Sequence, residues 1–274
     1  MEFRTRVDIP KPDFQIEPCE DMLFVGSCFA DSIGQRFKEE KFPVVVNPYG
    51  VMYNPASILH TIERWQGTPR VVFITLGTNH VYRLKETGEI VDNCQKRPQV
   101  LFIEEELSVD ACADYLLRTV EVLRSRRPDV QVVFTVSPIR YRKYGYHGSQ
   151  LSKATLLLAV EKTLKSQFLI GKADNSELYY FPAYEIVLDE LRDYRFYQED
   201  MLHPSAQAVE YIWQQLAEHY FSPAAKQFLR EWAPLKAALA HRPFNPDSDE
   251  YRAFMDKTML KVAELQKKYP TFAL

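Results

Sequence analysis

Asp200 and His203 stand three positions apart in "RDYRFYQEDMLHPS", just before a segment of helical period. At that spacing a carboxylate can reach Nδ1 of the imidazole and hold the tautomer whose Nε2 takes a proton, which acyl transfer asks of its general base. A nucleophile candidate lies far away in sequence, in "DMLFVGSCFAD", where Ser27 and Cys28 follow a glycine back to back at the end of an apolar run. A thiol or hydroxyl at a helix start, near an imidazole, is activated for attack on an ester. Oxyanion donors are offered by Gly50 in "NPYG", where a bare backbone N–H can approach, and by the amide of Asn79 in "LGTNH".

Each of these residues also has a plainer role open to it. Cys28 can fill the space where the first helix meets the sheet, with Ser27 capping that helix. Asp200 and His203 can form a capped turn, and Gly77-x-Asn79 is a turn pattern in its own right. His80 more simply satisfies a local hydrogen bond. His60 and His219 fall on helical segments and His147 and His241 in loops, none at metal-ligand spacing. Cys19, Cys28, Cys94 and Cys112 include no CxxC pair. We therefore expect free thiols, no metal and no cofactor.

The elements that must carry these residues alternate. Apolar runs at 22–26, 42–47, 70–77, 129–138 and 178–186 are each followed by a segment of helical period, with a hairpin excursion suggested at "KETGEIVDN". Strands apolar on both faces imply a parallel sheet covered on both sides. The expected fold is thus α/β, a three-layer α/β/α sandwich around a central parallel sheet of about five strands. Ligands in such sheets sit beyond the carboxyl ends of the strands, which is where Ser27, Cys28, Gly50, Asn79 and the "SPIRYR" segment fall. We expect an α/β domain over 1–235, its first ~20 residues an extended lead-in, and a helical extension over 236–274 packed on it.

The 274 residues carry a formal charge of −3, which argues against a nucleic-acid or anionic-membrane partner. No apolar run approaches the ~20 residues of a membrane span. The charged, proline-broken opening "MEFRTRVDIPKPDF" does not read as a secretory leader, so the expected location is cytoplasmic. Arg140, Arg142, Lys143, Lys96, Arg192 and Arg195 would favour an anionic or polyhydroxylated substrate if some converge on the pocket mouth; the alternative is a solvated rim of salt bridges. The many tyrosines from Tyr141 to Tyr197 suit sugar rings or a wet-edged core equally. His80, Arg140 and Tyr141 are the candidate substrate contacts.

Taken together, "FVGSCFAD", "TLGTNHVYR", "VDNCQKRPQVLF", "TVSPIRY", "QLSKATLL" and "FPAYEIVLDELRDYRFYQEDMLHPS" resemble the GSCFA domain family, grouped with the SGNH (GDSL-type) hydrolases. The resemblance spans about residues 20 to 235 and implies a fold and a site layout, without a substrate. Laid on the hydrolase pattern, Gly26 takes the glycine, Ser27 the usual acid, Cys28 the nucleophile and Phe29 the apolar residue that follows. A one-residue shift would present Ser27, and most esterases of this fold use serine. A histidine is implied where Gln95 and Tyr141 stand, so no role is carried to either.

The leading expectation is an esterase or acyltransferase on an O-acyl ester, with an acylated carbohydrate as the candidate substrate. The alternatives are a carbohydrate-like binding module that keeps the fold without the chemistry, and a scaffold whose C-terminal helices carry the function.

Overall fold

The computed structural model describes residues 4–92, 97–166 and 178–272; Cys94, Gln95 and Lys96, singled out above, lie outside the described residues. In chain order the elements begin with β1 (Met22–Gly26), α1 (Cys28–Glu39), β2 (Val44–Val46), α2 (Pro55–Arg64) and β3 (Val71–Leu76). Next come β4 (His80–Leu84), β5 (Ile90–Val91), β6 (Phe102–Glu106), α3 (Val109–Arg126) and β7 (Gln131–Val136). Then follow α4 (Gly145–Ser166), β8 (Leu178–Tyr180), the single turn α5 (Ala183–Glu185), α6 (Ala206–Tyr220), α7 (Pro223–Ala240) and α8 (Asp249–Lys268).

Five strands pair in parallel in the order β2-β1-β3-β7-β8, with Met22 level with Val44 and Val71, and Val71 with Gln131. β1, β3 and β7 are buried along their whole length, as apolar runs without alternation require. Side chains project alternately to the two faces. Phe24, Phe73 and Val133 pack with α1 and α6; Leu23, Val25, Val72, Ile74, Val132 and Phe134 pack with α2, α3 and α4. The three-layer fold expected from the sequence is the one observed. In this strand order the winding reverses between β1 and β3, the place where doubly wound sheets open a crevice for ligands.

Two elements differ from expectation. The strand expected over 178–186 ends at Tyr180, because Pro182 has no N–H to extend the ladder, and the chain turns through α5 into π-helical Ile186–Leu191. The hairpin excursion is a three-stranded antiparallel sheet, β5-β4-β6, whose third strand was not anticipated.

The C-terminal helices pack on the body. Phe228 and Trp232 of α7 meet Phe272, Trp232 Nε1 donates to the Glu39 carbonyl at the end of α1, and Val262 and Leu265 of α8 join the same core. The boundary expected at 235 falls inside α7. Among the described residues no helix is long and apolar enough to cross a membrane.

Candidate active site

The turn after β1 separates Ser27 from Cys28. Gly26 sits at φ +134°, and a Cβ there would lie 2.0 Å from the Thr75 carbonyl oxygen, so only glycine lets β1 close on β3 at this point. Its N–H donates to Asn47 Oδ1 (2.9 Å), while Asn47 Nδ2 donates to Asp31 Oδ1 (2.7 Å) in the first turn of α1. Strand end, β2 loop and helix start are thereby tied together.

Ser27 is 1% exposed and serves as the N-cap of α1: its Oγ accepts from Phe29 N (3.3 Å) and lies 3.1 Å from Thr75 Oγ1. Cys28, the first helical residue, is half-buried. Its Sγ lies 3.4 Å from Tyr53 Oη, and its N–H has no acceptor among the described residues. The structure therefore presents the thiol and encloses the hydroxyl. Burial, then the contact with Cys28, pushes the Tyr53 phenol well above its usual pKa, so it stays a proton donor.

Asp200 and His203 form the expected pair, with Oδ2 2.5 Å from Nδ1. Asp200 Oδ1 accepts from the backbone N–H groups of Leu202 (2.8 Å) and His203 (3.0 Å), which with the imidazole bond hold its pKa at about 2. The loop closes on itself through Gln198 N to His203 O (2.8 Å) and Ser205 N to Phe196 O (2.8 Å), after which Ser205 caps α6. It is pinned to the segment following β7: Arg140 N donates to Leu202 O (3.1 Å), and Arg140 Nη1 to Met201 O (3.0 Å).

The imidazole loop is thus tied to the segment that follows β7, and the thiol opens the helix that follows β1; β7 and β1 lie two places apart in the sheet, or ~10 Å at ordinary strand spacing. A row of tyrosine rings runs from the thiol toward the antiparallel sheet: Tyr53 to Tyr141 at 6.4 Å between centroids, Tyr141 to Tyr144 at 5.3 Å, and Tyr144 onto His80. Cys28 Sγ makes its described hydrogen bond to Tyr53 and not to His203.

The expected oxyanion donors are placed otherwise. The Gly50 N–H donates to the Asn47 carbonyl (2.9 Å), closing a turn. Asn79 is 3% exposed; its Nδ2 donates to the Leu107 carbonyl (2.8 Å) and its Oδ1 has no partner among the described residues. β6 leads into Leu107, so the unanticipated strand draws Asn79 inward. Beside the thiol stand the Cys28 N–H and the Tyr53 hydroxyl, and Tyr53 was missed. Its signal was position alone, in the loop from β2 to the Asn54 cap of α2.

Of the candidate substrate contacts, Tyr141 lies in the tyrosine row and Arg140 beside the His203 loop. His80 is buried under Tyr144 in a 3.6 Å stack, and burial lowers its pKa. Lys143 pairs with Glu104, Arg192 with Asp189 and Arg195 with Asp193, so these cations belong to the rim. Among the described residues, no group of three or more His, Cys, Asp or Glu side chains is arranged to hold a metal.

The GSCFA family model matches residues 21–70 and 66–216, and the GSCFA C-terminal domain model matches 232–274. The chain belongs to the GSCFA family. No curated protein matches this GSCFA chain. Among solved structures it is similar to a carbohydrate esterase family 3 protein from Talaromyces cellulolyticus, at 11% identity and TM-score 0.46 over 77% of this chain and 99% of that one. It is also similar to a family two carbohydrate esterase from Clostridium thermocellum (12%, TM-score 0.44, 76% and 64% covered). A salicylyl-acyltransferase from a tetracycline biosynthetic pathway is comparable (13%, TM-score 0.45, 73% and 53% covered). Likeness of this degree carries no argument about the chemistry of the GSCFA protein.

Proposed function

We propose that this protein cleaves or transfers the acyl group of an oxygen ester, with Cys28 as nucleophile and His203 as general base. The observation that carries this is the division of labour at the first turn of α1. Ser27 is a buried cap and Cys28 a presented thiol, and the Asp200–His203 pair is pinned to the segment that follows β7, two places from β1 in the sheet. Asp200 keeps the proton on Nδ1, leaving Nε2 to accept the thiol proton. Sγ attacks the ester carbonyl, His203 passes its proton to the departing alcohol oxygen, and a thioester remains on Cys28. Water or a second alcohol, deprotonated by His203, then releases the acyl group. The Cys28 N–H and the Tyr53 hydroxyl are the donors in reach of the carbonyl oxygen. The Cys28–His203 contact has to close when substrate binds, or to pass through one water, as catalytic contacts often do. An acylated carbohydrate suits the tyrosine-lined edge.

The test is the mass of the intact protein after reaction with p-nitrophenyl acetate. One acetyl adduct is expected, absent in Cys28→Ala and much reduced in His203→Ala. A folded wild-type protein that acquires no adduct, or an adduct that persists in Cys28→Ala, overturns the proposal.

A second reading has one observation in its favour: the Gly50 N–H and one of the two N–H groups of the Asn79 amide are engaged elsewhere. A binding module on this fold needs no oxyanion donors. It predicts ligand-induced thermal stabilisation unchanged in Cys28→Ala, and turnover that depends on Cys28 rules it out.

A further inference from the structure

α4 carries a lysine that the acyl chemistry does not use. Lys153 is 2% exposed, and its Nζ donates to the carbonyls of Gly77 (2.8 Å) and Ser137 (2.8 Å) just past the ends of β3 and β7. Among the described residues no carboxylate pairs with it, and beyond the two carbonyls its ammonium faces the Tyr184 ring at 5.9 Å. A desolvated ammonium without a counter-charge costs several kcal/mol, and burial pushes the Lys153 pKa down to about 7. Two carbonyls can be held together by a neutral donor. A lysine at this place makes physical sense when the counter-charge arrives from outside.

There is room for it. Lys153 lines a cavity of about 50 Å³, enough for a carboxylate or the oxygens of a phosphate. Arg140, Gln150, Val187, Leu188 and Tyr197 line both this cavity and an outer cleft of about 250 Å³, the size of a sugar ring with its substituents. Arg140 is a second cation without a carboxylate partner among the described residues. Its guanidinium lies 4.1 Å over Tyr146 and 5.5 Å over Tyr197, so its orientation is fixed before any ligand arrives. Tyr184 Oη, beside the cavity, is held 2.5 Å from Gln150 Oε1. Asp193 on the outer rim is paired with Arg195 (3.9 Å). The wall is the π-helical turn Ile186–Leu191, followed by Arg192 at φ +40°, a left-handed conformation unusual for a side-chain-bearing residue. π-Turns and such residues gather at functional sites.

We propose that cavity and cleft bind a small ring-bearing acid, its carboxylate or phosphate between Lys153 and Arg140 and its ring against Tyr197 and Leu188. This goes beyond the ester chemistry and needs neither Cys28 nor His203.

Titration of the full chain with glucuronate, glucose 6-phosphate and glucose, followed by calorimetry, tests it. At least one of the two acids binds, and the tighter one tells carboxylate from phosphate recognition; glucose binds at least about tenfold more weakly, the scale of a lost charge-assisted hydrogen bond. Arg140→Gln weakens the acid by about tenfold on the same grounds, Leu188→Trp fills the cleft and abolishes binding, and Cys28→Ala binds as wild type. Because Lys153→Met removes a buried donor and could fail to fold, the two surface-accessible variants decide. The proposal is overturned if neither acid binds at millimolar concentration, if glucose binds as tightly, or if Arg140→Gln and Leu188→Trp both bind the acid like wild type.

Discussion

Ser27 and Cys28 are adjacent, yet their substitution should separate stability from reactivity. Ser27→Ala removes the N-cap of α1, worth about 1 kcal/mol. It also deprives the buried Thr75 hydroxyl of its neighbour at 3.1 Å, worth about 1 kcal/mol more. For a chain of this size the sum of about 2 kcal/mol lowers Tm by roughly 4–8 °C. Cys28→Ala loses one sulfur contact at a half-buried position, so its cost stays within about 0.5 kcal/mol. Acylation should behave in the opposite way, retained in Ser27→Ala and lost in Cys28→Ala. Thermal unfolding and intact-protein mass after p-nitrophenyl acetate, on both variants side by side, read the two effects. If Ser27→Ala kept its Tm and lost the adduct while Cys28→Ala kept it, the serine would be the nucleophile, and the assignment of the buried hydroxyl as a cap would fall.

Four further outcomes follow from the geometry. Tyr53→Phe removes the donor 3.4 Å from Cys28 Sγ, so alkylation by iodoacetamide slows by about five- to tenfold, the scale of one hydrogen bond to a developing charge; an unchanged rate would separate Tyr53 from the thiol. Asp200 is ionised down to about pH 2, and a carboxylate with a lowered pKa stabilises its loop above the unfolded value of ~3.9 and loses that contribution as pH falls toward 2. Wild type therefore loses stability between about pH 4 and pH 2 that Asp200→Asn does not lose, read by thermal unfolding across that range; equal pH slopes in the two proteins refute this. Lys153, held at about 7, is protonated more readily unfolded than folded, so stability relative to Lys153→Met rises from pH 7 to 10; chemical denaturation at both pH values checks the sign. Gly26→Ala meets the Thr75 carbonyl at 2.0 Å in a left-handed backbone, costing at least about 3 kcal/mol, visible as insoluble protein or a collapsed Tm.

The sheet was legible because β1, β3 and β7 are buried on both faces and so appear as unbroken apolar runs between helical segments. The Asp200–His203 pair was legible because its geometry is local, fixed by one turn. The oxyanion donors were not, because whether an N–H is free depends on backbone conformation and on partners that the residue types alone do not name. Asn79 is turned by Leu107, which lies beyond a strand of charged, exposed residues that reads as a loop. Gly50 is turned by Asn47, whose own backbone takes φ +41°. Lys153 left one trace: it falls on the buried stripe of α4 with Leu156, Val160 and Thr163, where a charged residue is out of place.

The engaged amides bear on the choice of sulfur. A serine must lose its proton as it attacks, so charge reaches the carbonyl oxygen in a single demanding step that depends on a full set of donors. Sulfur is the more polarisable nucleophile, gives up its proton more easily than a hydroxyl does, and asks less of the oxyanion site. The donors beside it are the Cys28 N–H and Tyr53. Because burial and the sulfur itself push the Tyr53 phenol upward, it keeps its proton wherever negative charge on the sulfur is useful. It can then follow that charge from sulfur to carbonyl oxygen as the bond forms. In the proposed reaction Tyr53 therefore suits a cysteine and would give less to a serine, whose oxygen is buried one residue back, beside Thr75.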